Sequence, residues 1–139
     1  MNKIWLIISV VTLVLFGCSK QPETPEEAID LALTHMGNGD HQSYFEMSYR
    51  GLDRANKFNS LSSDKQREIK ELYKMLATEY TMDIVEKEEC EDDLHDYDAE
   101  KSCSFLIEFN HQTDHKKNIP LRNYDVVLKD GKWLLAWPM

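Results

Sequence analysis

The sequence predicts an α+β fold in which three N-terminal helices pack on a curved sheet of four antiparallel strands. Two observations lead to this prediction. Before residue 80, apolar residues recur at spacings of three and four, which is typical of helices. From Thr81 onward they alternate with polar residues, which is typical of half-buried strands. We therefore expect residues 25–139 to form one α+β domain.

The first helix has the clearest start signal. Thr24 is the expected N-cap, Pro25 suits the first helical position, and Glu27 completes a capping box. The segment GNGD, residues 37–40, should end the helix, because glycine favours helix termini. Between these signals lie apolar residues at helical spacing, namely Ala28, Ile29, Ala32, Leu33 and Met36.

Two further helices are predicted before the strands begin. Asp40 should cap a second helix through HQSYFEMSYR, whose stripe contains Tyr44, Phe45, Ser48 and Tyr49. A third and longer helix should follow Ser62 or Ser63. Its stripe contains Ile69, Leu72, Tyr73, Leu76 and Tyr80. Such a stripe is typical of a buried core face, and lining of a ligand pocket is the alternative.

Four strands are predicted after Thr81. Their segments are TMDIVEKEEC, KSCSFLIEFNH, IPLRNYDVVLKD and KWLLAWPM. Asp130 and Gly131 should form a tight hairpin turn between the last two, since this dipeptide favours two-residue turns. The expected inward residues alternate along the second and fourth strands, as Phe105, Ile107 and Phe109, then Trp133, Leu135 and Trp137.

The N-terminus has the layout of a secretory signal peptide, residues 1–17. Lys3 precedes an apolar run from Ile4 to Phe16, and Gly17 lies just before Cys18. The run is short for a membrane span, which needs about 20 apolar residues. An uncleaved anchor or an ordinary signal peptide is the alternative.

The segment LFGC, residues 15–18, resembles the lipobox of bacterial lipoproteins. The resemblance implies that the sulfur of Cys18 is lipidated and that cleavage leaves Cys18 as the first residue. Two or more acyl chains hold a protein stably on a membrane. Residues 18–24 would then be a tether from the lipidated Cys18. Ser19, which follows the lipidated position, implies an outer membrane location with the domain facing the periplasm.

If Cys18 carries lipid, Cys90 and Cys103 remain in an oxidising compartment, which favours a disulfide. Pairing of the flanking strands with these two cysteines opposite each other would set Ile84 opposite Phe109. The same register sets Glu86 and Glu88 opposite the core positions Ile107 and Phe105, so either a bulge or an exposed end of the sheet is expected. A thiolate metal site is the alternative, but it needs four soft ligands.

The charge balance excludes one class of partner. Sixteen basic and 25 acidic residues give a net charge of −9, and loss of Lys3 with the signal peptide gives −10. Nucleic-acid binding is not expected, because phosphate affinity comes from Lys and Arg. No cofactor or metal is predicted either. His111 and His115 are four residues apart, but they lie between predicted strands rather than on a helix.

The segments TPEEAIDLALTHMGNGD and VVLKDGKWLLAW resemble the nuclear-transport-factor-two-like cone fold, also called SnoaL-like. The resemblance extends from Thr24 to Trp137 and is strongest to small bacterial lipoprotein members of uncharacterised function. It implies a cone whose open end can hold a small ligand. The pocket candidates are Tyr49, Tyr73, Tyr80, Phe105, Phe109 and Trp133.

Three functions follow from these expectations. The first is a lipid-anchored, non-catalytic accessory or ligand-binding module for a small apolar molecule or an envelope protein. The second is an acidic inhibitor or immunity lipoprotein that neutralises a basic envelope toxin or hydrolase. The third and most remote is a cone-fold isomerase or cyclase. Its hydroxyl donor would be Tyr49, Tyr73 or Tyr80, and its acid or base His35 or Asp125.

Overall fold

The computed structural model describes residues 21–92 and 96–136. Four helices precede the sheet: α1 (Pro25–Gly37), α2 (His41–Glu46), α3 (Gly51–Asn59) and α4 (Ser63–Glu79). The strands are β1 (Tyr80–Lys87), β2 (Glu91–Asp92), β3 (Lys101–His111), β4 (Ile119–Lys129) and β5 (Lys132–Leu135), with a 3₁₀ turn at His115–Lys117. The α+β class is confirmed. The predicted signal peptide and Cys18 lie outside the described residues, as do His95 and Trp137.

The predicted helix starts are confirmed by their caps. The Thr24 side chain accepts a hydrogen bond from the Glu27 amide at 3.2 Å. Asp40 caps α2 by accepting from the Ser43 amide at 3.1 Å. Ser62 does the same for α4. These polar side chains satisfy amides that the first turn of a helix leaves without a partner.

The second predicted helix is shorter than expected, and α3 is a further helix that was not predicted, so four helices precede the sheet where we expected three. α2 ends at Glu46, and the next residues run beside β5. The Tyr49 amide donates to the Leu135 carbonyl at 2.8 Å, and the Leu135 amide donates to the Met47 carbonyl at 2.8 Å. These sheet-edge bonds replace the hydrogen bonds of a continued helix, and Arg50 then turns the chain through the left-handed region with φ 56°.

Gly51 follows this turn and allows α3 to begin against α2. A Cβ atom at Gly51 would lie 1.8 Å from the Phe45 carbonyl oxygen. No side chain fits in that space, so only glycine permits this approach of the two helices. The position of α3 therefore depends on one residue.

The strands form a sheet in the order β1-β3-β4-β5, with the short β2 beside β3. All pairs of strands are antiparallel. The predicted hairpin turn is confirmed: Asp130 and Gly131 both have positive φ, at 51° and 74°, and Lys129 pairs with Lys132. This geometry matches the twist of the flanking strands.

The register of β1 against β3 differs from the predicted one, which placed Ile84 opposite Phe109. Ile84 instead pairs with Ile107, and a shift at the next residue, Val85, places Glu86 opposite Leu106. The predicted bulge is therefore present, and it keeps the Glu86 carboxylate off the core position. Ile84 and Val85 are 38% and 53% exposed, so this end of the sheet is also exposed, as the alternative expected.

One core lies between the helices and one face of the sheet. Along β3 it contains Cys103, Phe105, Ile107 and Phe109, which are at most 5% exposed. The other strands and α1 contribute Val126, Leu135, Ala28, Ile29, Ala32 and Met36. Burying each large apolar side chain stabilises the fold by about 1.5–3 kcal/mol. Within residues 21–92 and 96–136, no helix has the length and apolar character needed to cross a membrane.

Candidate functional site

The six predicted pocket residues are placed in different surroundings. Tyr73, Phe105 and Phe109 are buried in the core. The hydroxyl of Tyr80 donates to the Lys117 carbonyl at 3.1 Å, and the indole of Trp133 donates to the Glu23 carbonyl at 3.1 Å. Tyr49, the sixth, lines a second groove, which is described below.

One cavity lies between α2, α3 and α4 and has a volume of about 760 Å³. We call it the helix groove. None of the six predicted residues lines it. Its lining consists of Gly39, Asp40, His41, Gln42, Phe45, Glu46, Ser48, Gly51, Leu52, Ala55, Asn56, Phe58, Asn59 and Lys70.

One wall of the helix groove is apolar because α3 turns one face toward α2. Leu52, Ala55 and Phe58 recur at a spacing of three along α3. The ring of Phe58 packs against that of Phe45 on α2, with centroids 5.5 Å apart. Leu52 is 75% exposed at the mouth of the groove. The groove therefore offers an apolar surface with one side chain still largely in water.

His41 is the buried polar residue of the helix groove. It is 8% exposed, and its ring lies between Phe58 at 5.7 Å and Tyr73 at 6.1 Å, measured between centroids. Its Nδ1 has no hydrogen-bond partner among the described residues. Burial lowers the pKa of His41, and the positive charge of Lys70 lowers it further. The imidazole is therefore neutral at pH 7 and suited to hydrogen bonding with an uncharged group.

A second cavity, of about 440 Å³, lies between α3 and the segment of residues 96–100. We call it the tyrosine groove, and it is lined by Tyr49, Arg50, Asp53, Arg54, Lys57, Tyr97 and Ala136. The Tyr49 ring meets the Tyr97 ring edge-on at 5.4 Å. Two cations also approach the Tyr49 ring: the Arg50 guanidinium at 5.5 Å and the Lys129 ammonium at 5.8 Å.

Residues 96–100 are held on the sheet face that points away from the core. The Tyr97 hydroxyl donates to one carboxylate oxygen of Asp125, and the Ser104 hydroxyl donates to the other at 2.9 Å. Lys129 pairs with Asp98 at 3.1 Å, and this hydrogen bond raises the pKa of Lys129. These contacts give the tyrosine groove one of its walls.

The predicted disulfide is present between Cys90 and Cys103, whose Cα atoms are 4.2 Å apart. At this end of the hairpin Glu91 pairs with Ser102, the register that also sets the two cysteines opposite each other. It differs by two residues from the register at Ile84: one step lies between Ile84 and Glu86, and the other lies between Lys87 and Glu91. The bridge ties the start of the acidic run to the centre of the sheet.

The residues considered as acids, bases or metal ligands already have polar contacts within the protein. Asp125 accepts from Tyr97 and Ser104, as described above, and His35 Nδ1 lies 3.7 Å from a carboxylate oxygen of Asp40. His111 Nδ1 accepts from the Asp114 amide at 3.0 Å. Among the described residues there is no group of three or more His, Cys, Asp or Glu side chains placed to hold a metal ion.

Of the residues that line the two grooves, only Tyr49 in the tyrosine groove was among the predicted pocket residues. The reason is α3: when its residues are assigned to a loop, Leu52, Ala55 and Phe58 have no common face. Arg50, Arg54 and Lys57 likewise fall on one side only once the helix exists. The spacing of these residues was the available signal. No protein-family model matches the chain, and no curated protein matches it.

Proposed function

We propose that this protein is a lipid-anchored lipoprotein of the bacterial envelope whose helix groove binds a small apolar molecule without catalysing a reaction. The observation that carries the proposal is the groove itself, with an apolar wall, a largely exposed Leu52 and a buried nitrogen on His41 that has no partner among the described residues. The helices and sheet would form the cone of the nuclear-transport-factor-two-like fold.

The size and lining of the helix groove support binding of a small molecule. Its volume of about 760 Å³ lies within the range of ligand sites. Such sites combine apolar walls with a few polar groups that orient the ligand. Phe45 and Phe58 supply the wall here, and His41 supplies the polar group. Covering the exposed Leu52 would add to the affinity, since full burial of a leucine is worth about 1.5–3 kcal/mol.

The occupant is expected to be uncharged and mainly apolar. The lining contains charges of both signs, because Asp40 and Glu46 are carboxylates and Lys70 is an ammonium. Asp40 is engaged in capping α2, and Glu46 accepts from Gln42 at 3.3 Å. A single hydroxyl, amide or carbonyl on the ligand would give Nδ1 of the neutral His41 a partner of the kind that buried polar groups normally have.

The binding proposal can be tested while the ligand is still unidentified. The full-length lipoprotein, purified from its own envelope, should show a bound molecule in native mass spectra. Leu52→Ser should reduce the bound fraction, because it removes apolar surface at the groove mouth. Leu72→Ser is the matched control, since Leu72 is 47% exposed on α4 and lies outside the groove. Equal occupancy in the two variants, or bare protein throughout, would contradict the proposal.

The anchor is tested separately. Cys18→Ala should leave the precursor without lipid, because the acylated sulfur is absent. The N-terminal peptide of the wild-type protein should carry the mass of its acyl chains, and that of the variant should not. Unchanged membrane partitioning and an unmodified wild-type peptide would remove the lipoprotein proposal and leave the groove proposal standing.

One observation favours the inhibitor or immunity function as a second candidate. Five of the seven residues from 86 to 92, at the exposed end of β1 and through β2, are carboxylates, namely Glu86, Glu88, Glu89, Glu91 and Asp92. A basic partner would associate with them rapidly at low salt. Cross-linking in the native envelope should then capture a basic protein, and a high salt concentration should abolish the capture. Capture of no protein would exclude this candidate.

A further inference from the structure

We infer that the tyrosine groove is a second binding site, specific for a phosphate group. The inference does not depend on the helix groove or on the lipid anchor. It rests on three observations: the charge of the groove lining, the lack of carboxylate partners for two of its cations, and the backbone at the start of α3.

The lining of the tyrosine groove has the opposite charge to the chain as a whole. The chain carries a net charge of −9, but among the described residues that line the groove Arg50, Arg54 and Lys57 are basic and one, Asp53, is acidic. These residues follow one another along α3 at intervals of three and four, so they share one side of the helix. A concave surface of one charge sign concentrates ions of the opposite sign.

Two of these cations have no carboxylate partner within the part of the chain that the structure describes. Among residues 21–92 and 96–136, neither Arg50 nor Lys57 forms an ion pair with a carboxylate. The neighbouring Lys129, by contrast, pairs with Asp98. In a chain with nine more acidic than basic residues, carboxylates for such pairs are plentiful. Two cations without a carboxylate partner on one wall therefore point to an anionic ligand.

The backbone and the tyrosine rings favour a phosphate. Arg50 occupies the N-cap position of α3, but its side chain accepts no hydrogen bond from the helix. The first amides of α3 therefore have no side-chain acceptor from this residue. The positive end of a helix attracts phosphate. The Tyr49 ring supports the Arg50 guanidinium, which is 5.5 Å from the ring centre. A guanidinium held in one orientation can bind two phosphate oxygens at once.

Isothermal titration of the full-length protein in detergent tests the inference, with benzyl phosphate and benzyl alcohol as probes. Benzyl phosphate should bind, and its affinity should fall as salt rises, because salt screens charges over about 8 Å at physiological strength. Benzyl alcohol lacks the phosphate, so any binding that it shows, including binding in the helix groove, should be equal in the wild type and in the two cation variants described below. Glycerophosphoglycerol, a soluble lipid headgroup, is the third probe. Tighter binding of this diester indicates a lipid headgroup as the ligand, and tighter binding of benzyl phosphate indicates a soluble phosphate ester.

Variants locate the binding. Arg50→Asn removes the cation and keeps a residue that tolerates positive φ. Lys57→Met removes an exposed cation and keeps the test valid if the Arg50 variant does not fold. Each should weaken benzyl phosphate binding at least about 10-fold, the lower end of a charge-assisted hydrogen bond. Lys74→Met on α4 is the control and should leave affinity unchanged. Benzyl phosphate binding that does not respond to salt, or equal losses in Lys57→Met and Lys74→Met, would overturn the inference.

Discussion

Removal of the Cys90–Cys103 disulfide should destabilise the domain by an amount that follows from the length of its loop. The two cysteines are 13 residues apart, and closing a loop of this size lowers the entropy of the unfolded chain enough to contribute about 3 kcal/mol. The variant to use is Cys90→Ala with Cys103→Val. Cys103 is 1% exposed, so valine refills its space and the measured loss reports the cross-link rather than a cavity.

The assay is thermal unfolding of the full-length chain in detergent, followed by circular dichroism. For a domain of about 115 residues, an unfolding entropy of about 2.1 cal/mol/K per residue makes 3 kcal/mol equivalent to a shift of about 12 °C in Tm. The loss is a large part of the stability of an ordinary domain, which is about 5–15 kcal/mol.

A matched control separates the bond from the side chains. Wild-type protein treated with dithiothreitol should unfold at the same temperature as the double variant, because both lack the cross-link. A Tm shift of under about 3 °C in both samples would refute the loop-entropy reasoning. A large shift in the variant with none on reduction would show that packing around Cys103 is responsible.

Three further changes have expected outcomes. Gly51→Ala should cost more than about 1 kcal/mol in urea unfolding, since the new Cβ would lie 1.8 Å from the Phe45 oxygen; an unchanged midpoint would contradict the close approach. The pKa of His41 is lower in the folded protein than in the unfolded chain, so as pH falls the imidazole is protonated in the unfolded chain before it is protonated in the folded one. The free energy of unfolding should therefore decrease as pH falls through 6.5. His41→Gln should flatten the stability curve as pH falls through that region, and an unaltered curve would show that another group titrates. Tyr97→Phe should cost about 1–3 kcal/mol, because Asp125 loses a donor while partly buried; a neutral result would mean that water replaces the hydroxyl.

The elements that were predicted correctly are those that depend on residues close together in the sequence. The Thr24 cap and Pro25 start α1 where expected, and β3 spans the predicted segment from Lys101 to His111. The turn at Asp130 and Gly131 likewise needs only two residues with positive φ. Caps, alternation and turn residues act over a few positions, so the sequence carries them directly.

The errors arose where distant parts of the chain compete for the same backbone. The second helix stops at Glu46 because Met47 and Tyr49 bond to Leu135 on β5, which is far along the sequence. The register of β1 shifts at Val85, which keeps Glu86 off the core face. Neither the end of α2 nor the register of β1 follows from local propensity. A longer helix or another register would differ from the observed one only in its long-range contacts.

By itself, the sequence determined the α+β class, the ends of α1 and the start of α4, the last hairpin and the pairing of Cys90 with Cys103. Tertiary structure alone decided where concave surfaces form. Most of the predicted aromatic residues went into the core or against its edges, because a sheet face covered by helices buries its large side chains. The grooves formed instead beside α3, whose position depends on the contact between Gly51 and Phe45. A cavity is the space left between packed elements, so it is settled only when all of them are in place.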